Sequence, residues 1–231
     1  MKRFTFAAVI IGVLAFNARA FATPVLVQPS VWSGNGTNVG ISWTSQTSAG
    51  SGYVAFDDFS FATTTVVNQI TWLGIYLNLD LTNGTPNTSR WDILFNDNTG
   101  PGGTPGPNVA VNTGVGVVQT TLGSGLFGNN PVTVYQFTAQ FAPFTAAAGV
   151  TYWVSAVSVG PTFAPFFSWI QGTGGDGTSA QVQLSSFTPV SDVFQQGDRA
   201  LTLSRVPEPA TVTLLGLGLS GIAVRRRRNR S

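Results

Sequence analysis

Val134-Tyr135-Gln136-Phe137-Thr138-Ala139-Gln140-Phe141 is a run with a period of two. Tyr135, Phe137, Ala139 and Phe141 fall on one side, and Val134, Gln136, Thr138 and Gln140 on the other. Successive side chains of a strand point to opposite faces, so the run predicts a strand with one buried face. Trp91, Ile93 and Phe95 alternate with Asp92, Leu94 and Asn96 in the same way. Residues 69–79 place Leu73, Ile75 and Leu77 on one face and Trp72, Gly74 and Tyr76 on the other. Further strands are expected at 41–44, 52–56, 109–121, 150–159, 166–171, 180–184 and 200–205. Gly and Pro clusters separate them, above all Thr99-Gly100-Pro101-Gly102-Gly103-Thr104-Pro105-Gly106-Pro107, whose composition suits neither a helix nor a central strand. No repeat of fixed period stands out, which argues against a propeller or a solenoid. About ten short strands with irregular loops predict an all-β fold, an antiparallel, jelly-roll-like β-sandwich.

Composition agrees. Charged residues make up only 9% of the 231-residue chain, and turn formers and β-branched residues are abundant. There is no cysteine, so the fold relies on packing alone. The β-sandwich domain is placed at 23–205, long enough for one domain with a sizeable core.

The two ends read differently from this body. Met1-Lys2-Arg3 is a basic start, residues 4–16 carry no charge, and Ala18-Arg19-Ala20 and Ala20-Phe21-Ala22 are small-x-small cleavage sites. Residues 1–22 are therefore a secretory signal peptide with a signal helix. At the other end stand Val206-Pro207-Glu208-Pro209, an apolar run over 210–224, and the basic cluster Arg225, Arg226, Arg227 and Arg228. The stretch 206–224 spans about 28 Å as a helix, enough to cross a hydrocarbon core. A transmembrane helix is expected over 207–224, with the arginines of the tail 225–231 held on the cytoplasmic side. Pro207 and Pro209 keep the motif extended and accessible to a protease. This order resembles the PEP-CTERM sorting signal of Gram-negative bacteria. The resemblance implies an exosortase partner, a transient stay in the inner membrane, and then the cell surface or the extracellular space. An ordinary, uncleaved anchor is the plainer alternative.

Setting the two tags aside reverses the electrostatics. The full chain carries a formal charge of +2, but Lys2, Arg3 and Arg19 belong to the signal and five arginines to the tail. The body keeps Arg90, Arg199 and Arg205 against eight aspartates, a balance near −5. Such a surface repels phosphate backbones, so nucleic acid is not an expected partner. The body also carries short motifs in a recurrent order: Asp57-Asp58-Phe59, Trp72-Leu73-Gly74-Ile75-Tyr76, Phe95-Asn96-Asp97-Asn98 with Gly100-Pro101-Gly102, Gly149-Val150-Thr151-Tyr152-Trp153-Val154 and Gly197-Asp198-Arg199-Ala200-Leu201. This texture resembles the β-sandwich bodies of exosortase-sorted proteins and implies fold and context rather than an activity.

Chemistry-bearing residues are scarce. The chain has no His and no Cys, no Lys outside the signal, and a single Glu that lies in the sorting motif. That removes the usual general base, thiolate nucleophile, Schiff-base lysine and zinc ligands, and no catalytic residue is expected. Adjacent Asp57 and Asp58 would point to opposite faces of a strand and cannot act as a glycosidase pair. No cofactor is expected beyond a structural calcium ion, with Asp57, Asp58 and Asp97 as its best ligands and turn capping as their plainer role. Among the aromatics, Trp72 and Tyr76 on one strand face and Trp169 after Phe166-Phe167 are the candidates for a glycan-stacking platform, with burial in the core as the alternative.

Three functions remain. The first is a non-catalytic exported surface or extracellular-matrix protein associated with exopolysaccharide or biofilm. The second is a carbohydrate-binding module. The third is an ice-binding protein, prompted by Thr63-Thr64-Thr65 but lacking a regular threonine ladder.

Overall fold

The run around Phe137 belongs to a 17-residue strand, Asn130–Ala146, the longest element described. The structure is a computed structural model and describes residues 22–185 and 188–207. The expected signal helix and the expected membrane span lie outside those residues. Among the described residues, no helix is long and apolar enough to cross a membrane.

Among the described residues fifteen strands follow in chain order: β1 Thr23–Gln28, β2 Thr37–Asn38, β3 Trp43–Thr44, β4 Gln46–Ser48, β5 Ser51–Phe59, β6 Thr65–Leu77, β7 Arg90–Asp97, β8 Asn108–Val115, β9 Val117–Phe127, β10 Asn130–Ala146, β11 Tyr152–Val159, β12 Phe166–Trp169, β13 Thr178–Ser185, β14 Thr188–Gln196 and β15 Leu201–Arg205. They form two sheets within the unit Pro24–Arg205. The first runs β1-β15-β6-β10-β9-β2, with β12 also on β6 and β3 on β12. The second runs β14-β13-β5-β4-β11-β7-β8.

Most pairs are antiparallel, as expected, but both sheets are mixed. β2 joins β9 in parallel through Thr37 and Asn38, and β4 joins β11 in parallel through Gln46 and Thr47. The expected strand 109–121 breaks at Gly116. Its first half, β8, is the edge of the second sheet, while its second half, β9, enters the first. The Gly-Pro loop contains one 3-10 turn, Pro101–Gly103, with Gly102 at φ 70°, a conformation open to glycine.

The main core lies between the sheets. Trp72 of β6 stacks on Phe137 of β10 at 5.4 Å and meets Trp91 of β7 edge-on at 5.1 Å. Phe144 of β10 stacks on Phe95 of β7 at 4.3 Å. Each such ring pair adds about 0.5–1.5 kcal/mol beyond area burial, which helps a cysteine-free fold hold together. Phe137, Ala139 and Phe141 are buried and Gln140 is exposed, as expected, but Tyr135 is only partly buried and Val134, expected on the outer face, is fully buried.

The other face of the same sheet is buried as well. Val132 and Val134, on the opposite face of β10, join Ile75 and Leu77 of β6 in a second cluster. Val39 and Trp32, from the segment around β2, cover them. β6 is thus apolar on both faces because each face has its own cover. Packing is close at Gly74, where a Cβ would collide with the Phe167 ring.

Candidate functional site

Gly197-Asp198-Arg199 leads into β15 and places Arg199 at 0% exposure. Its guanidinium donates to the carbonyls of Ile41 (3.3 Å) and Trp169 (3.4 Å) through Nη1, and to those of Gln196 (3.2 Å) and Gly197 (2.6 Å) through Nη2. The Arg199 backbone N–H donates to Asp57 Oδ2 at 2.8 Å. The Gln28 amide, assigned with its nitrogen facing them, donates to Asp57 Oδ2 (2.6 Å) and to the Arg199 carbonyl (3.1 Å). Asp198 accepts from the backbone of Gly175 (2.9 Å) and Gly177 (2.8 Å). One arginine and two carboxylates therefore tie together β1, β5, β12, the loop before β13 and the start of β15.

Burial governs the charges of this knot. It holds the Asp57 carboxyl well above the ordinary carboxylate range; the Arg199 N–H pulls the other way, and nearby Asp198 adds to the rise. Burial draws the Arg199 guanidinium down to about 10, opposed by Asp57 and Asp198. Asp58 is pushed up to about 6, first by burial and then by Asp176. Asp57 Oδ1 and Arg199 Nε have no hydrogen-bond partner among the described residues. The guanidinium faces carbonyls and the carboxylates face N–H groups, so the knot holds chain segments in place.

The calcium candidates do not converge. Asp57 shares its strand face with Ala55 and Phe59 of the main core, whereas Asp58 shares the opposite face with Val54 and Phe56. Asp97 instead caps a turn, its Oδ1 accepting from the Thr99 N–H (3.1 Å) and hydroxyl (2.6 Å). Asp80 with Thr82 and Asp176 with Thr178 repeat that arrangement, so the Asp-x-Thr spacing was a turn signal. Among the described residues, no three acidic side chains are grouped to hold a metal.

The glycan platform is corrected outright. Trp72, Tyr76 and Trp169 are 1%, 0% and 0% exposed, and a ring with no open face cannot stack a sugar. Each is bound into the core: Trp72 on Phe137, Tyr76 through its hydroxyl to Thr88 Oγ1 (2.7 Å), Trp169 through Nε1 to the Ala200 carbonyl (2.9 Å). Burial pushes the Tyr76 phenol up to about 12. The half-buried aromatics lie elsewhere. Trp43, Tyr53 and Phe127 line a cavity of about 290 Å³, and Tyr53 and Phe163 line an adjoining one of about 480 Å³. Tyr53 and Phe127 carried no periodic signal, since one lies near the start of a strand and the other closes one.

The body is thus an all-β protein of two mixed sheets, held by an aromatic core and one buried arginine. Behind it, Val206 and Pro207 of the sorting motif follow directly on the last residue of β15, Arg205, while Glu208, Pro209 and the arginine cluster lie outside the described residues. Residues 205–228 match the family model of the PEP-CTERM protein-sorting motif. Neither a search of curated proteins nor one of solved structures returns a match. The motif implies a membrane-anchored precursor that is exported, processed by exosortase and exposed at the surface.

Proposed function

We propose that the chain is a non-catalytic surface or extracellular-matrix protein whose β body, a jelly-roll-like sandwich, associates with exopolysaccharide. The single observation that carries this reading is the sorting motif at 205–228, directly behind the last core strand. A body without His, Cys or Lys supports a binding rather than a chemical role. The test is made in the producing cell. Deleting 206–228 is expected to shift the protein out of the surface and matrix fractions, and enzymatic removal of the exopolysaccharide is expected to release the intact protein. Unchanged fractionation after either treatment overturns the reading. A carbohydrate-binding module is the second reading, favoured by the half-buried aromatics around Tyr53.

A further inference from the structure

We infer that the mouth between the two sheets, lined by Trp43, Tyr53, Phe127 and Phe163, binds a neutral oligosaccharide segment. The inference deepens the proposed association with polysaccharide and rests on it for the class of ligand. The two cavities meet at Tyr53. One wall comes from the first sheet, through β3, β12 and Leu77 of β6, and the other from the second, through β5 and β13. The site is an open wedge where the sheets part.

The lining fits a sugar chain in two ways. Among the described residues no charged side chain lines either cavity; the polar ones are serines, Thr44, Gln181 and Gln183. Half-buried rings offer apolar faces to the C–H side of a pyranose, and amides and hydroxyls offer donors and acceptors to its rim.

The wall is also built in advance. Fully buried Gln46 donates through Nε2 to the carbonyls of Thr162 (3.2 Å), Phe163 (2.7 Å) and Pro165 (3.1 Å). Its Oε1 accepts from Ser158 Oγ (3.1 Å) and the Phe167 N–H (2.7 Å). Asn87 Nδ2 donates to the same loop at Thr162 Oγ1 (2.9 Å) and the Ala164 carbonyl (3.3 Å). Phe163 is thereby fixed 6.1 Å from Tyr53, and a rim ordered before binding loses little entropy on contact.

The test uses the full chain as recovered from producing cells, titrated calorimetrically with cellohexaose and maltohexaose as neutral probes and trigalacturonate as an acidic one. At least one neutral probe is expected to bind in preference to the acidic one. Tyr53→Ala and Phe163→Ala are each expected to weaken that binding by between about threefold and about tenfold, while Tyr53→Phe keeps most of it. An unfolding midpoint for Phe163→Ala equal to that of the parent separates lost binding from lost fold. Binding that Tyr53→Ala and Phe163→Ala both leave intact, equal binding of the acidic probe, or no binding of either neutral probe overturns the inference. If the Tyr53→Ala protein stays in the exopolysaccharide fraction, the mouth is refuted while matrix association stands; if the parent never enters that fraction, the association itself falls.

Discussion

Trp169 of β12 and Trp43 of β3 are direct partners across two paired strands, yet they live in different environments. Trp169 has no exposed surface and donates its Nε1–H to the Ala200 carbonyl at 2.9 Å. Trp43 is half-buried at the sheet mouth, and its Nε1 has no partner. Equal residues in one row of the ladder therefore serve different ends. The inner one is committed to the core with its polar handle satisfied, and the outer one leaves part of its ring open at the mouth. Aromatic type alone does not mark a binding surface; position relative to the opening of the two sheets does.

The contrast can be broken most forcefully from inside. Trp169→Ala is expected to destabilise the body by about 3–5 kcal/mol, read by chemical denaturation, because it opens a large void and removes one of the two donors to the Ala200 carbonyl, leaving only the Leu73 N–H. Arg199→Met should cost about 3 kcal/mol by the same measurement. It leaves the carbonyls of Ile41, Trp169, Gln196 and Gly197 without their donor, and Asp57 and Asp198 without a cation. Trp43→Ala, at the outer end of the row, is expected to cost less, about 1–2 kcal/mol, since its ring is only partly buried. Comparable losses for Trp43→Ala and Trp169→Ala would erase the distinction between core and mouth.

A gentler probe is pH. Asp58 has a folded-state value of about 6 against an ordinary 3.8, and Asp57 is shifted in the same direction. A raised carboxyl binds its proton more tightly in the folded protein than in the unfolded one. Its contribution is complete below 3.8 and disappears as pH rises through about 6. The denaturation midpoint should therefore be higher at pH 5 than at pH 7, and Asp58→Asn should flatten that rise. A midpoint that falls on acidification would contradict the assignment. Smallest of all, Thr99→Val should cost about 0.5–1 kcal/mol through loss of its hydroxyl bond to Asp97.

How far these features could be read in advance depends on whether their cause is local. The alternation of Phe137, Ala139 and Phe141 was legible because strand geometry imposes it within a few residues. The β character of the body and the sorting signal at its end were legible for the same reason, since each is written in a short contiguous pattern. The parting of 109–121 into β8 and β9 was hidden. Gly116 marks the break, but the change of sheet depends on distant partners, β7 for one half and β10 for the other. Trp72 and Tyr76 were placed on the correct strand face, but alternation reports only that two faces differ and is silent on what covers each. Here the second sheet covers one and the segment bearing Val39 the other. Arg199 stood inside a recognisable Gly-Asp-Arg string. Its burial follows from the Ile41 and Trp169 carbonyls, 158 and 30 residues away, which no local pattern can announce.

β15 lies between β1 and β6, so the segment just before the sorting motif is an interior strand of its sheet. Scission inside the motif would create a new carboxyl end only a few residues beyond a strand whose Leu201 and Leu203 are buried. The finished terminus would then be clamped by neighbours on both sides, leaving exopeptidases almost no loose chain to trim. The same placement sets the order of assembly. The first sheet cannot close until the final residues of the body have emerged, so the address is translated immediately after the last piece the fold requires.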